Sequence, residues 1–197
     1  EPMMRQLITA LAVVISLIGC SEPLRFANTD LTGAEFGREF SSPFTDHVGQ
    51  PRRLADFKGK VVVIFFGYIQ CPDVCPTTLT GMAEVMKLLG SDATRVQLLF
   101  VTVDPERDTQ QLLAAYVPQF DPSFLGLRAD PATTAATALE FKVFYQKQAG
   151  STPKTYTVDH SANSYIYDPQ GRLRLYVKHA EAPANIAADI KHLLAGK

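Results

Sequence analysis

An unbroken apolar run, Val61–Phe66, stands out from the mixed sequence around it. No polar residue gives it a wet face, so the pattern predicts a central strand covered on both sides. Gly67 ends the run. Beyond Pro76 the period changes: Leu79, Met82, Ala83, Met86 and Leu89 recur at helical spacing until Gly90 stops them. Val96–Val103 is a second strand-type run, closed by the charged stretch Asp104–Asp108. Asp108 can cap a helix over Thr109–Val117, Phe124–Leu127 reads as a short strand, and Asp130 with Pro131 opens a helix predicted to reach Tyr145. Ser161–Tyr167 and Leu173–Val177 flank Asp168–Arg172 as a β-hairpin, and Glu181–Leu194 forms a closing helix. Upstream, Phe36–Pro51 suggests a hairpin turning at Gly49, and Leu54–Phe57 a helical turn. The order β–α–β–α–β–α–β–β–α predicts an α/β domain with a mixed central sheet flanked by helices.

Composition narrows the class. The chain has 197 residues, 46% hydrophobic and 20% charged, with a net charge of −1, which suits one globular domain. That near-neutral balance gives no electrostatic basis for binding nucleic acid. Met3–Cys20 has the form of an export signal: Arg5 supplies the positive start, and the apolar stretch Leu7–Ile18 is short for a membrane span. Leu17-Ile18-Gly19-Cys20 looks like a bacterial lipobox, which implies cleavage before Cys20 and lipid on its sulfur. The expected organisation is a signal peptide over 1–19, a lipidated tether over 20–33, and one folded domain over 34–197. The expected location is the periplasmic side of a bacterial membrane, held there by lipid.

With Cys20 assigned to the lipid, Cys71 and Cys75 remain, in a protein exported to where thiols tend to oxidise. They lie between the predicted core strand and the helix that follows. A helix N-terminus presents unpaired N–H groups and a partial positive charge, and both favour thiolate over thiol. Two sulfurs placed there can share a metal ion or close on each other. A strand, a cysteine pair at a helix start and a late hairpin together describe a thioredoxin-like fold. In that fold the segment before the late hairpin packs beside the cysteine loop. Redox thioredoxins carry a proline there; this chain has none between Pro153 and Pro169, and places His160 there instead. Two thiolates and an imidazole form a soft set that suits Cu(I), or Cu(II) with an added ligand. Asp73, between the cysteines, and Asp104, at the end of the neighbouring strand, are candidates to support the site from outside the ligand set or to serve as turn and cap residues. His47, His179 and His192 read as solvated.

The segments FFGYIQCPDVCPTTL, FVTVDPERDT, YVPQFDPSFLGL and VDHSANSYIYDPQGR, with the closing Asp189-Ile190, resemble the Sco/SenC copper proteins, which help assemble cytochrome c oxidase. The resemblance runs from about Phe36 to Ile190. It implies copper held by Cys71, Cys75 and His160. It also implies delivery of copper to the binuclear copper site of an oxidase subunit, or reduction of that site's cysteines so that another periplasmic chaperone can load it. The expected partners are that subunit, a second copper chaperone or thiol reductase, and the membrane; the expected state is a monomer. Two functions stay open at this point. One is a copper chaperone; the other is a thiol–disulfide oxidoreductase using Cys71 and Cys75 without metal delivery. A peroxidase would need an activating arginine, and Arg52 and Arg53 carry no signature for that role.

Overall fold

The structure is a computed structural model, and it describes residues 23–197. The expected signal segment and the lipobox with Cys20 lie outside the described residues. Those described form ten strands: β1 (Thr29–Asp30), β2 (Phe44–Asp46), β3 (Pro51–Arg52), β4 (Val61–Gly67), β5 (Val96–Thr102), β6 (Leu125–Arg128), β7 (Tyr145–Gln148), β8 (Thr157–His160), β9 (Ser164–Tyr167) and β10 (Leu173–Val177). The α-helices are α1 (Val74–Leu89), α2 (Gln110–Tyr116), α3 (Pro131–Glu140) and α4 (Pro183–Leu194).

Eight strands make one sheet in the order β1-β10-β9-β4-β5-β6-β2-β3. β4, β5 and β6 run parallel, and β9 lies antiparallel to β4 on its other side. Every residue of β4 and β5 is buried, as an apolar run without alternation requires. α1 turns Cys75, Leu79, Met82, Val85, Met86 and Leu89 inward and packs against α4. The mixed sheet, its flanking helices and the cysteine loop between β4 and α1 make a thioredoxin-like fold, as the element order predicted.

Several boundaries differ from the expectation; the strand expected from Ser161 begins at Ser164, and three other differences are larger. The helix from Pro131 ends at Glu140, because Lys142 takes a left-handed φ of 53° that no α-helix continues through. That reversal buries both Phe141 and Val143 and sends Tyr145–Gln148 into an antiparallel ribbon with Thr157–His160, separate from the main sheet. The N-terminal hairpin is shorter than Phe36–Pro51: β2 begins at Phe44, though the turn does use Gly49 at φ 92°. The stretch expected as tether up to residue 33 joins the domain earlier. Asp189 of α4 accepts hydrogen bonds from the Ala27 amide (2.9 Å), the Asn28 amide (2.8 Å) and the Asn28 side chain (2.8 Å). β1 then pairs with β10.

Candidate metal centre

β4 delivers the cysteine loop. Its last residue, Gly67, lies under the site, where a Cβ would stand 2.8 Å from Cys75 Sγ and 2.8 Å from the Phe100 ring. Only a residue without a side chain lets the sulfur sit that close to the sheet. Cys75 occupies the first turn of α1 and is wholly buried; Cys71 precedes the helix and is nearly so. The Cys75 amide points at Cys71 Sγ at 3.4 Å, so a helix-terminal N–H that has no carbonyl partner donates to a sulfur instead. No disulfide joins the two cysteines.

His160, the last residue of β8, brings Nε2 to 3.4 Å from Cys75 Sγ. The two sulfurs and an imidazole nitrogen all lie within 4.8 Å of one another. Nδ1 of His160 stands 2.9 Å from the Ser161 carbonyl. A carbonyl only accepts, so Nδ1 carries the proton and Nε2 keeps its lone pair toward the sulfurs. Edge-on rings of Phe65 and Tyr68, with centroids at 6.0 and 5.6 Å, hold the imidazole plane. Cys71 and His160 line one open depression with Tyr68, Pro72, Asp73 and Thr157.

The sulfurs are electrostatically unequal. A hydrogen bond from the Cys75 thiol pulls Cys71 down to about 4, against its burial, with further help from the Cys75 and Asp73 amides. The same contact, together with burial, pushes Cys75 above the usual thiol range. The pair therefore holds one thiolate at its rim and one protonated thiol at its floor.

The two candidate carboxylates fall in different places. Asp73 is exposed at the start of α1, where its carboxylate accepts a hydrogen bond from the Thr77 hydroxyl at 3.3 Å. Asp104 is fully buried and accepts from Arg107 Nε (2.5 Å) and the Tyr156 hydroxyl (2.6 Å). The carboxylate set beneath the cysteine loop is Asp108, read above only as a helix cap. Thr109 caps α2 instead, accepting from the Leu112 amide. Asp108 turns inward to accept from the Ile69 amide (3.0 Å) and the Thr102 hydroxyl (2.6 Å), and burial raises its carboxyl to about 6. The alternative cap next to it, Thr109, was the signal available in the sequence.

Tyr68 was also missed, although it sits just before the cysteines; its hydroxyl accepts the Val158 amide at 3.2 Å. Of the remaining histidines, His47 is half-buried rather than solvated: its Nδ1 accepts the Gly126 amide at 3.0 Å, and burial lowers its pKa. His179 is exposed, and His192 is half-buried with an edge contact to Phe26. Arg52 is tied to Asp46, so the arginine that reaches the cysteine loop is Arg107, through Gln70.

Fold and site together define a thioredoxin-like domain whose paired thiols face an imidazole from a separate ribbon. The SCO1/SenC family profile matches residues 28–195, and the chain belongs to that family. Sco1 of Thermus thermophilus, solved in its apo form in solution, is 40% identical, with a TM-score of 0.76 over 86% of this chain and 98% of that one. ScoI of Bradyrhizobium japonicum, solved with copper bound, is 39% identical, with a TM-score of 0.73 over 78% of this chain and 97% of that one. The mitochondrial SCO2 homolog of Mus musculus is 36% identical over 152 residues, which is 76% of this chain and 60% of that protein. The chain thus spans about three fifths of the length of that mitochondrial relative.

Proposed function

We propose that this chain binds copper through Cys71, Cys75 and His160 and hands it to the binuclear copper site of a cytochrome c oxidase subunit. The observation that carries the reading is the approach of His160 Nε2 to Cys75 Sγ at 3.4 Å, in a group of three donors within 4.8 Å. The donor chemistry fits copper. Two sulfurs and one neutral imidazole form a soft set of low coordination number, whereas a structural zinc site has four ligands. The copper-bound ScoI of Bradyrhizobium japonicum supports the same assignment. Copper is cargo here. An incoming thiolate or imidazole of the target enters at the open rim, beside Cys71 and His160, and displaces the three donors in turn, so the ion is never free. Among the described residues no helix is long and apolar enough to cross a membrane. We assign anchoring to lipid on Cys20, at the periplasmic face; Cys20→Ser should move the protein from the membrane to the soluble fraction.

The test is metal analysis with X-ray absorption on the reduced, copper-loaded protein. We expect one copper per chain, with sulfur and nitrogen scatterers, and a larger loss of Cu(II) than of Cu(I) affinity in His160→Ala. Uptake by the wild type no greater than by the Cys71→Ala/Cys75→Ala variant would falsify the assignment.

The unequal thiols favour a second reading, a dithiol reductant. The Cys71 thiolate attacks one sulfur of a partner disulfide and expels the other as a thiolate. Cys75 then loses its proton and attacks Cys71, releasing the reduced partner and leaving a Cys71–Cys75 disulfide; two electrons pass to the partner. On this reading His160→Ala keeps full reductase turnover. Alkylation of Cys71 in the metal-free protein should stay fast from pH 8 down to about 5 and fall as the pH drops through about 4. An inflection near the ordinary thiol value of about 8.5 would remove the basis for a standing thiolate.

A further inference from the structure

Among the described residues, the ribbon carrying His160 shares no ladder with the main sheet, because β7 and β8 pair with each other. Three of the four β7 residues are exposed. His160 is nonetheless held against sulfurs fixed in the core. On its C-terminal side the reason is plain: Ser164 already pairs with Phe65 of β4. The attachment on its N-terminal side centres on one side chain, Arg107.

Arg107 leaves the loop after β5 and pairs with the buried Asp104 through Nε. Its Nη1 reaches three acceptors: the Gln70 side chain (3.0 Å), the Tyr156 carbonyl (2.8 Å) and the Lys154 carbonyl (3.3 Å). The guanidinium also stacks on the Tyr156 ring at 3.6 Å, while the Tyr156 hydroxyl donates to the other oxygen of Asp104. Gln70 adjoins Cys71, and Tyr156 adjoins β8. One planar cation therefore ties the β5 loop, the cysteine loop and the entry to β8 together. The fork geometry of arginine makes this possible; a lysine offers a single point charge. With this clasp cut, β8 would keep its ladder with β7, the Ser161–Phe144 hydrogen bonds and the Tyr68–Val158 hydrogen bond, but would lose its tie to the β5 loop and the cysteine loop.

We propose that Arg107 is a positioning residue that, with Asp104 and Tyr156, holds the β8 ribbon so that the His160 imidazole faces Cys71 and Cys75. Its role is exerted through His160 and leaves the dithiol itself intact. The metal part of the claim rests on the copper reading above; the positional part does not.

The experiment compares wild type, Arg107→Met and Tyr156→Phe, each alone and combined with His160→Ala. In metal-free protein, we expect amide exchange at Val158–His160 to rise at least tenfold in Arg107→Met, with β4 and β5 amides unchanged. Loaded with Cu(II), that variant should lose at least tenfold in affinity and lose the nitrogen hyperfine coupling in its spin-resonance spectrum. Cu(I) affinity should change less than threefold. In the His160→Ala background, Arg107→Met should add nothing further to the loss of Cu(II) binding. Tyr156→Phe should show the same pattern at smaller size, and it decides the matter if Arg107→Met does not fold. Unchanged ribbon exchange, equal losses for both copper states, or a full additional loss without His160 would each overturn the proposal. A wild type that binds no copper would sink the copper reading alone, and the exchange comparison would still decide the clasp.

Discussion

The central strands and the β7–β8 ribbon are built on opposite principles, yet the site needs both. β4 and β5 are buried along their whole length, and their pairing is continuous from Val61–Val96 to Gly67–Thr102. The ribbon is short and polar, and is fastened by side chains. Cys75 belongs to the first construction and His160 to the second. A donor set divided in this way has a fixed half and a movable half. Tight packing holds the sulfurs in place, while a few hydrogen bonds decide where the imidazole sits. A carrier that must release its ion gains from such a division, because one ligand can leave without disturbing the core.

The comparison breaks first if the core half is not rigid. Phe100 is wholly buried on β5, with the rings of Phe65 and Tyr116 at 6.1 and 6.2 Å. Phe100→Ala should cost about 3–5 kcal/mol in denaturant unfolding. A cost below about 1 kcal/mol would mean that this core collapses around cavities and cannot fix the sulfurs. The next effect in size belongs to Asp108, beneath the cysteine loop. Burial raises its pKa to about 6, so the folded state favours its neutral form. Its stabilisation is therefore complete below the unfolded carboxylate value, near 4, and is lost as pH rises through about 6. Asp108→Asn keeps an oxygen for the Ile69 amide and the Thr102 hydroxyl while removing the charge. The variant should match wild type in stability near pH 4 and exceed it by about 2–3 kcal/mol at pH 8. A difference independent of pH would place the ionisation of Asp108 outside the fold's energetics. Gly67→Ala should cost about 1–3 kcal/mol by overpacking and should also weaken metal uptake by displacing Cys75. Unfolding and metal titration of the same preparation separate the two effects.

What could be read from the sequence follows the same division. Val61–Phe66 announces a core strand because nothing polar interrupts it, and the Leu79–Leu89 spacing announces α1 because one face is continuous. The cysteines were legible from their place between those two elements, and His160 from the segment that precedes the late hairpin. The ribbon had no comparable signal. Tyr145–Gln148 is mostly exposed and so carries no period-2 pattern, and no proline or glycine between Pro131 and Gly150 marks where the helix stops. The left-handed turn at Lys142 has no glycine to mark it. Asp104 was visible, but its function lies in contacts to Tyr156, 52 residues away in the chain, and only the fold brings those two together. Arg107 was read as part of an ordinary charged loop for the same reason.

The smallest effect sharpens the contrast from the ribbon's side. Lys147 on β7 pairs with Glu106 and lies 4.9 Å from the Tyr156 ring, so it touches the same cluster as Arg107 from the outside. The side chains of both Lys147 and Glu106 are about half exposed, and such pairs contribute roughly 0–1 kcal/mol. Lys147→Ala should lower the unfolding free energy by no more than about 0.5 kcal/mol and change ribbon amide exchange less than twofold. Suppose instead that it loosens the ribbon as much as Arg107→Met. The ribbon would then be held by screened surface charge, and 1 M salt, with a Debye length of about 3 Å, would release His160 in the unmodified protein. A ribbon indifferent to both Lys147→Ala and salt, yet loosened by Arg107→Met, is fastened by buried geometry: a planar cation between a carboxylate and a phenol ring, which salt screens far less than it screens an exposed pair.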